Sequence, residues 1–293
     1  MPATIKRVGV IGAGAMGCGV AHVCAIAGYD VHLIDSGQQQ IERGLATING
    51  NLARQVSSGK LSDEDRKKAL KLITASTDLQ DLASADMVIE AITEDESAKR
   101  ALYAKICPIL KPETLLASNT SSFSITRLAA STDRPERFMG VHFMNPVPVM
   151  ELVELVRGIA TEEVTFETAK DFVRSLGKTP TVSEDFPAFI VNRILMPMIN
   201  EAIYVLYEGV GTVDHIDTAM TLGARHPMGP LELADFIGLD TCLSVMQMLH
   251  EGLADNKYRP CPLLVKYVDA GWLGRKSGRG FYDYRGDEPV PTR

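Results

Sequence analysis

Arg7-Val-Gly-Val-Ile-Gly-Ala-Gly-Ala-Met-Gly17 decides the reading of this chain. A β-branched apolar run (Val8, Val10, Ile11) meets glycines at positions 12, 14 and 17, the spacing G-x-G-x-x-G between a predicted strand and a predicted helix at residues 16–27. Gly12 permits a tight turn, Gly14 lets an anionic group approach the backbone, and Gly17 lets the helix pack closely on the strand. Unpaired N–H groups at the start of that helix then face the anion. A second strand, Tyr29-Asp-Val-His-Leu-Ile-Asp35, ends in an acid 18 residues after Gly17, near the spacing of a carboxylate that takes hydrogen bonds from a ribose. Strand, glycine turn, helix, strand and acid in this order predict a dinucleotide site at Gly12, Ala13, Gly14, Ala15, Met16, Gly17 and Asp35. The plainer alternative is a glycine-rich turn with a surface aspartate.

A length of 293 residues suggests about two domains. The pattern divides them at 1–186, where strands and helices alternate, and 187–293, where helices dominate. A net charge of −7 argues against nucleic acid or an anionic membrane as partner. No stretch reaches the roughly 18 apolar residues of a membrane span. The first strand begins by about Lys6, so no secretory leader is expected. Five scattered cysteines without a C-x-x-C pair read as reduced thiols of a cytoplasmic protein, and no metal site is expected.

After Asp35 the pattern predicts a helix over 38–57 and, past a break at Gly59, a second over 63–73 capped by Ser62, with Asp65 placed to reach back. These helices would form a hairpin inserted in the nucleotide domain. Asn51, Arg54 and Lys60 lie on it and either meet an anionic substrate tail or form a solvated basic face. Met87-Val-Ile-Glu-Ala-Ile-Thr-Glu94 reads as a buried strand with Glu94 at its carboxyl end, where open α/β sheets bind ligands. Lys99 follows in the next helix, and the two residues are either cofactor contacts or an exposed charge pair. Thr114-Leu-Leu-Ala-Ser-Asn-Thr-Ser-Ser122 is a strand running into four hydroxyls and an amide, more polar groups than a turn needs; the structural alternative for part of this cluster is that Ser124 or Thr126 caps the next helix.

The strand in Arg137-Phe-Met-Gly-Val-His-Phe-Met-Asn-Pro-Val-Pro148 is followed at once by Met150-Glu-Leu-Val-Glu-Leu-Val-Arg157. A carboxylate in such an apolar run needs a partner, because burying it alone is costly. His142 is the nearby candidate for Glu151 or Glu154, and a His–Glu pair holds the imidazole in one tautomer for acid/base work. Thr161 is expected to cap a helix over 162–175, a last strand over 178–183 to complete the α/β part, and 184–187 to link onward. A strongly apolar helix over 188–207, with Pro197 inside it, is either central to its domain or shared with a second copy of the chain. Further helices follow, and the tail at 274–282 reads as a basic loop. A dinucleotide site, a His–Glu pair and polar strand ends together suit hydride transfer, with His142 taking the alcohol proton.

At this point the sequence resembles the L-3-hydroxyacyl-CoA dehydrogenases, in particular the short single-function bacterial members. The resemblance runs from Val8 to Tyr282 and rests on Gly12-Ala-Gly-Ala-Met-Gly17, Ser118-Asn-Thr-Ser-Ser122, His142-Phe-Met-Asn-Pro146, Phe189-Ile-Val-Asn-Arg193, His226-Pro-Met-Gly-Pro230 and Gly278-Arg-Gly-Phe-Tyr282. It implies a Rossmann-type domain followed by an all-α domain through which members dimerise. It also implies oxidation of a 3-hydroxyacyl-CoA, with NAD as cofactor and an acyl-CoA as partner. By the same resemblance His142 is the general acid/base and Glu154 its orienting carboxylate. Ser121 bonds the substrate's 3-oxygen, and Asn192 supplies an amide from the second domain. Asp35, Glu94, Lys99, Asn119, Asn145 and Lys276 fall where the family contacts NAD, and Asp35 disfavours the 2′-phosphate of NADP. One departure is Met144, where many members have a second phenylalanine; methionine fills the same volume. The rival readings are a gulonate-type sugar-acid dehydrogenase on the same scaffold and a non-catalytic NAD-binding protein.

Overall fold

A computed structural model describes residues 4–293 and divides the chain into units Met1–Phe189 and Ile190–Arg293. The first unit runs β1 (Arg7–Ile11), α1 (Ala15–Ile26), β2 (Asp30–Ile34), α2 (Gln38–Ser57), α3 (Asp63–Lys71), β3 (Ile73–Ser76), β4 (Met87–Glu90), α4 (Glu96–Ile106) and β5 (Leu115–Ser118). It continues through α5 (Ile125–Ala129), β6 (Phe138–Phe143), β7 (Leu152–Arg157), α6 (Glu163–Ser175) and β8 (Thr179–Glu184). Its eight strands form one sheet in the order β3-β2-β1-β4-β5-β6-β7-β8. Every neighbouring pair is parallel except β6 and β7, which run antiparallel. The strand order reverses between β1 and β4, and a crevice outside the carboxyl ends of such strands is where open α/β sheets take ligands.

The period of two along each strand sorts the side chains onto two faces. Val8, Val10, Met87, Ile89, Val141 and Leu155 bury against α1, α2, α3 and α6 through Val20, Ile48, Ala69 and Phe172. Val88, Leu116, Phe138 and Val156 bury on the other face against Tyr103 and Ile106 of α4 and Ile125 and Leu128 of α5. The same alternation puts Glu90, Ser118, His142 and Glu154 on the α4/α5 face. Their strands pair Glu90 with Ser118 and His142 with Glu154.

Several expected boundaries are corrected. β3 was not expected, because Ile73-Thr-Ala-Ser76 is short and only half-buried at the sheet edge. β4 stops at Glu90, where the Glu90 carboxylate takes the Ile92 N–H at 2.8 Å, so Glu94 lies beyond the strand rather than at its end. Thr161 does not cap α6; its hydroxyl donates to the Phe138 carbonyl at 2.7 Å and accepts the Gly158 N–H at 3.0 Å, and Glu162 holds the cap position. Ser62 does cap α3, accepting the Asp65 N–H at 3.0 Å, while the Asp65 carboxylate takes the Ser62 hydroxyl rather than the cap backbone. Ser124, not Thr126, caps α5.

The second unit contains α7 (Val191–Tyr207), α8 (Val213–Thr218) leading into a π-helical turn (Ala219–Gly223), α9 (Pro230–Ile237), α10 (Leu239–Leu253) and α11 (Pro262–Asp269). The predicted helix over 188–207 begins later, at Val191, because Ala188 and Phe189 both take left-handed backbone angles, φ 63° and 54°. The tail is not all loop. β9 (Tyr282–Asp283) and β10 (Val290–Pro291) form a two-stranded antiparallel ladder. Buried Asp235 ties the tail to α9, accepting from the Phe281 and Tyr282 N–H groups, both at 2.9 Å, and from the Tyr284 hydroxyl at 3.0 Å. Burial pushes this carboxyl up to about 6, against the opposing pull of those hydrogen bonds. Among the described residues no helix is long and apolar enough to cross a membrane.

Candidate active site

The glycine turn is built as its spacing demands. Gly12 has φ 109° and its N–H donates to the Ile34 carbonyl at 2.7 Å; a Cβ there would stand 2.8 Å from the Ala91 carbonyl carbon. A Cβ on Gly17 would collide with the Gly12 carbonyl, which explains why helix α1 can pack so near β1. Gly14 is exposed, with nothing within 4 Å of where its Cβ would be. It opens α1 without a side-chain cap, so the first-turn N–H groups are left to a ligand. Ala15 is exposed and Met16 half-buried beside it. Asp35 follows β2, and its carboxylate takes the Ala13 N–H at 2.7 Å and the Gly37 N–H at 3.3 Å, which fixes it beside the glycine turn. An open glycine, an uncapped helix start and an adjacent carboxylate fit a dinucleotide.

Past β4, Glu94 gathers the polar loop after β5. Its Oε1 accepts from the Thr120 hydroxyl at 2.5 Å, the Ser122 hydroxyl at 2.6 Å and the Ser121 N–H at 2.9 Å; its Oε2 lies 3.2 Å from Lys99 Nζ. Desolvation pushes this carboxyl upward, but Lys99 and those hydrogen bonds outweigh it and hold the group below the usual carboxylate range. Lys99 is not the exposed half of a charge pair. It is buried and also bound to Glu90 Oε1 at 2.7 Å. Asn119 joins β5 to β6, its Oδ1 accepting the Phe143 N–H at 2.9 Å.

His142 and Glu154 face each other across the antiparallel pair β6–β7. His142 Nδ1 is 2.7 Å from Glu154 Oε2, with Glu154 fully buried and His142 only 6% exposed. Against an ionised Glu154, which can only accept, Nδ1 is the donor, and a neutral imidazole then keeps its lone pair on Nε2. The Phe189 ring packs 5.7 Å, centroid to centroid, from the imidazole. Glu151, the other acid considered as a partner, is exposed. Asn145 is exposed beyond β6 and precedes Pro146 through a cis peptide bond. The remaining two predicted residues belong to the second unit: Asn192 in the first turn of α7, and Lys276, whose Nζ pairs with Asp240 at 2.5 Å. On the α2–α3 hairpin, Arg54 is exposed and bonded to Asn51 Oδ1 at 2.6 Å, and Lys60 is exposed. All five cysteines are buried and unpaired, and among the described residues no group of His, Cys, Asp or Glu could hold a metal.

Two residues escaped the sequence reading. Glu90 sits in a strand as apolar as that of Glu154, and the rule that exposed the latter applies equally to the former. Asp185 lies in the expected linker at 184–187, yet its carboxylate accepts from the Ser124 hydroxyl and the Ile125 and Thr126 N–H groups, all at 2.8 Å, and so closes the start of α5 from a distance.

A doubly wound sheet with this glycine turn, together with an imidazole backed by a buried carboxylate, defines an NAD-dependent oxidoreductase. Comparison with known proteins narrows the class. Residues 7–186 match the 3-hydroxyacyl-CoA dehydrogenase NAD binding domain and residues 189–284 its C-terminal domain. The chain belongs to the 3-hydroxyacyl-CoA dehydrogenase family. It is 69% identical to a 3-hydroxybutyryl-CoA dehydrogenase of Bradyrhizobium diazoefficiens over the full length of both chains. Against the human mitochondrial hydroxyacyl-coenzyme A dehydrogenase it is 42% identical, over 96% of this chain and 92% of that one. The crystal structure of (S)-3-hydroxybutyryl-CoA dehydrogenase from Ralstonia eutropha matches with a TM-score of 0.94 at 48% identity, covering 97% of this chain and all of the other.

Proposed function

We propose that this protein interconverts short-chain (S)-3-hydroxyacyl-CoA, foremost 3-hydroxybutyryl-CoA, and the corresponding 3-oxoacyl-CoA, with NAD as cofactor and His142–Glu154 as the acid/base pair. The observation that carries it is the buried 2.7 Å contact between His142 Nδ1 and Glu154 Oε2 on the strands of a dinucleotide-binding unit. With the proton on Nδ1, His142 Nε2 takes the hydroxyl proton as the carbonyl forms and returns it in the reverse direction. Bound NAD supplies the hydride acceptor. Glu154 keeps the ring in the required tautomer and balances the imidazolium charge that forms. Ser121 holds the substrate's 3-oxygen by a hydrogen bond, and the Asn192 amide serves the same substrate. Asp35 binds the adenosine ribose hydroxyls, while the first-turn N–H groups of α1 take the pyrophosphate. Glu94, Lys99, Asn119, Asn145 and Lys276 complete the cofactor contacts.

The test is direct. Purified enzyme should reduce acetoacetyl-CoA with NADH at least tenfold faster than with NADPH, and it should not oxidise L-gulonate with NAD. Turnover of gulonate alone would move the protein to the sugar-acid dehydrogenases. Equal use of NADPH would remove Asp35 from the ribose site.

The helical unit is the dimer interface in this reading. Ile194, Val210, Leu222 and Phe236 are exposed on it, and Met198, Ala202, Val205, Ile216 and Met220 line an apolar hollow of about 490 Å³. Exposed apolar surface of this kind marks association. Sedimentation equilibrium at micromolar concentration is expected to give twice the chain mass; a monomer would contradict it. The five unpaired buried thiols fit a cytoplasmic location.

A further inference from the structure

We infer that Glu90 is a positioning residue for the reaction, acting through Lys99 and Glu94 on Ser121. Its carboxylate is fully buried on the α4/α5 face of the sheet, in a strand whose other residues are Met, Val and Ile. Four donors converge on it: Lys99 Nζ and Ser118 Oγ at 2.7 Å, and Tyr103 OH and the Ile92 N–H at 2.8 Å. Burial and the Glu90 charge push the Tyr103 phenol well above its ordinary range, so it stays a donor. Such a cluster is a poor device for stability alone, because well-packed apolar side chains of similar volume usually do as well or better. Its geometry indicates another use.

Lys99 stands between two carboxylates, at 2.7 Å from Glu90 and 3.2 Å from Glu94. Both acids compete for one buried cation. Glu90 draws the ammonium into the sheet, so Glu94 is held by the lysine on Oε2 only and keeps Oε1 for the loop after β5. That oxygen alone takes the Thr120 and Ser122 hydroxyls and the Ser121 N–H. The relay therefore runs from a fully buried strand residue to the backbone of the serine proposed to hold the reacting oxygen. Neutralising Glu90 leaves Lys99 to Glu94 alone, and the oxygen that anchors the loop is pulled toward the lysine. A displacement of about 1 Å at a positioning group costs up to about 10²-fold in rate.

This inference rests on the proposed role of Ser121, and a double-mutant cycle separates the two. Acetoacetyl-CoA reduction is measured for the wild type, Glu90→Gln, Ser121→Ala and the double variant. Glu90→Gln should lower kcat about 10–100-fold with KM for acetoacetyl-CoA changed less than about threefold. In the Ser121→Ala background the same substitution should cost less than about threefold, because the group it misplaces is gone. Losses that multiply would show a general structural effect and overturn the inference while leaving the proposed reaction standing. A Ser121→Ala enzyme as fast as the wild type would instead remove Ser121 from the reaction, and this inference with it. Should Glu90→Gln fail to fold, Tyr103→Phe removes one of the four donors and keeps the charges. It should slow the wild type about threefold and the Ser121→Ala enzyme not at all; no effect, or an equal effect in both backgrounds, overturns the relay.

Discussion

Replacing His142 with alanine is expected to lower turnover with acetoacetyl-CoA and NADH by about 10²–10⁴-fold, the usual worth of a positioned acid/base group, while NADH still binds. The two parts of this expectation come from different places in the sheet. The glycine turn and Asp35 stand at the ends of β1 and β2 and are tied to each other through the Ala13 N–H. His142 stands on β6, and its side-chain hydrogen bond goes to Glu154 on β7. Removing the imidazole takes away the proton acceptor without touching the phosphate or ribose positions. Fluorescence titration with NADH should give a dissociation constant within about threefold of the wild type, and stopped-flow reduction should show the loss in the chemical step. Near-normal turnover would take His142 out of the mechanism. Lost NADH binding would mean the residue holds the fold or the cofactor instead.

How much of this was legible in the chain follows from the physics of each signal. The glycine turn could be read because only glycine tolerates φ 109° at Gly12 and the close approach at Gly17. Long buried strands such as β6 were legible as mostly apolar runs, interrupted only by Gly140 and His142, as a sheet covered on both faces requires. β3 was not, since four half-buried residues at an edge carry almost no apolar signal. The start of α7 was misplaced because two consecutive left-handed residues, Ala188 and Phe189, are held by tertiary packing that no propensity scale contains; both are buried. Glu154 was legible because a carboxylate in an apolar strand needs a partner. The same rule applies to Glu90, a carboxylate as fully buried in an equally apolar strand. Thr161 shows the limit of cap rules: a threonine before a helix satisfied two backbone groups of neighbouring segments and left the cap to Glu162.

Glu154 gives the other large effect, and two substitutions separate its contributions. Glutamine keeps the volume and removes the charge. Its amide can turn either way toward His142 Nδ1. With its oxygen toward the ring the tautomer survives but the imidazolium has no counter-charge; with its NH₂ toward the ring the proton is forced onto Nε2 and the base is lost. Loss of the carboxylate behind a catalytic imidazole costs up to about 10⁴-fold in kcat in other hydrogen-bonded His–carboxylate pairs, and Glu154→Gln is expected to lose about 10²–10⁴-fold with the fold intact. Alanine adds a second penalty. Glu154 is fully buried in the sheet beside an imidazole that is itself 6% exposed, so truncation leaves a cavity and strands a polar ring. Breaking a buried pair from one side costs about 3–5 kcal/mol, and Glu154→Ala should melt well below both the wild type and the glutamine variant. Thermal unfolding followed by circular dichroism reads the stability difference, and steady-state kinetics at saturating NADH read the rate. A glutamine enzyme within fivefold of the wild type would reduce Glu154 to a packing residue. An alanine variant as stable as the wild type would show that the sheet does not depend on the pair.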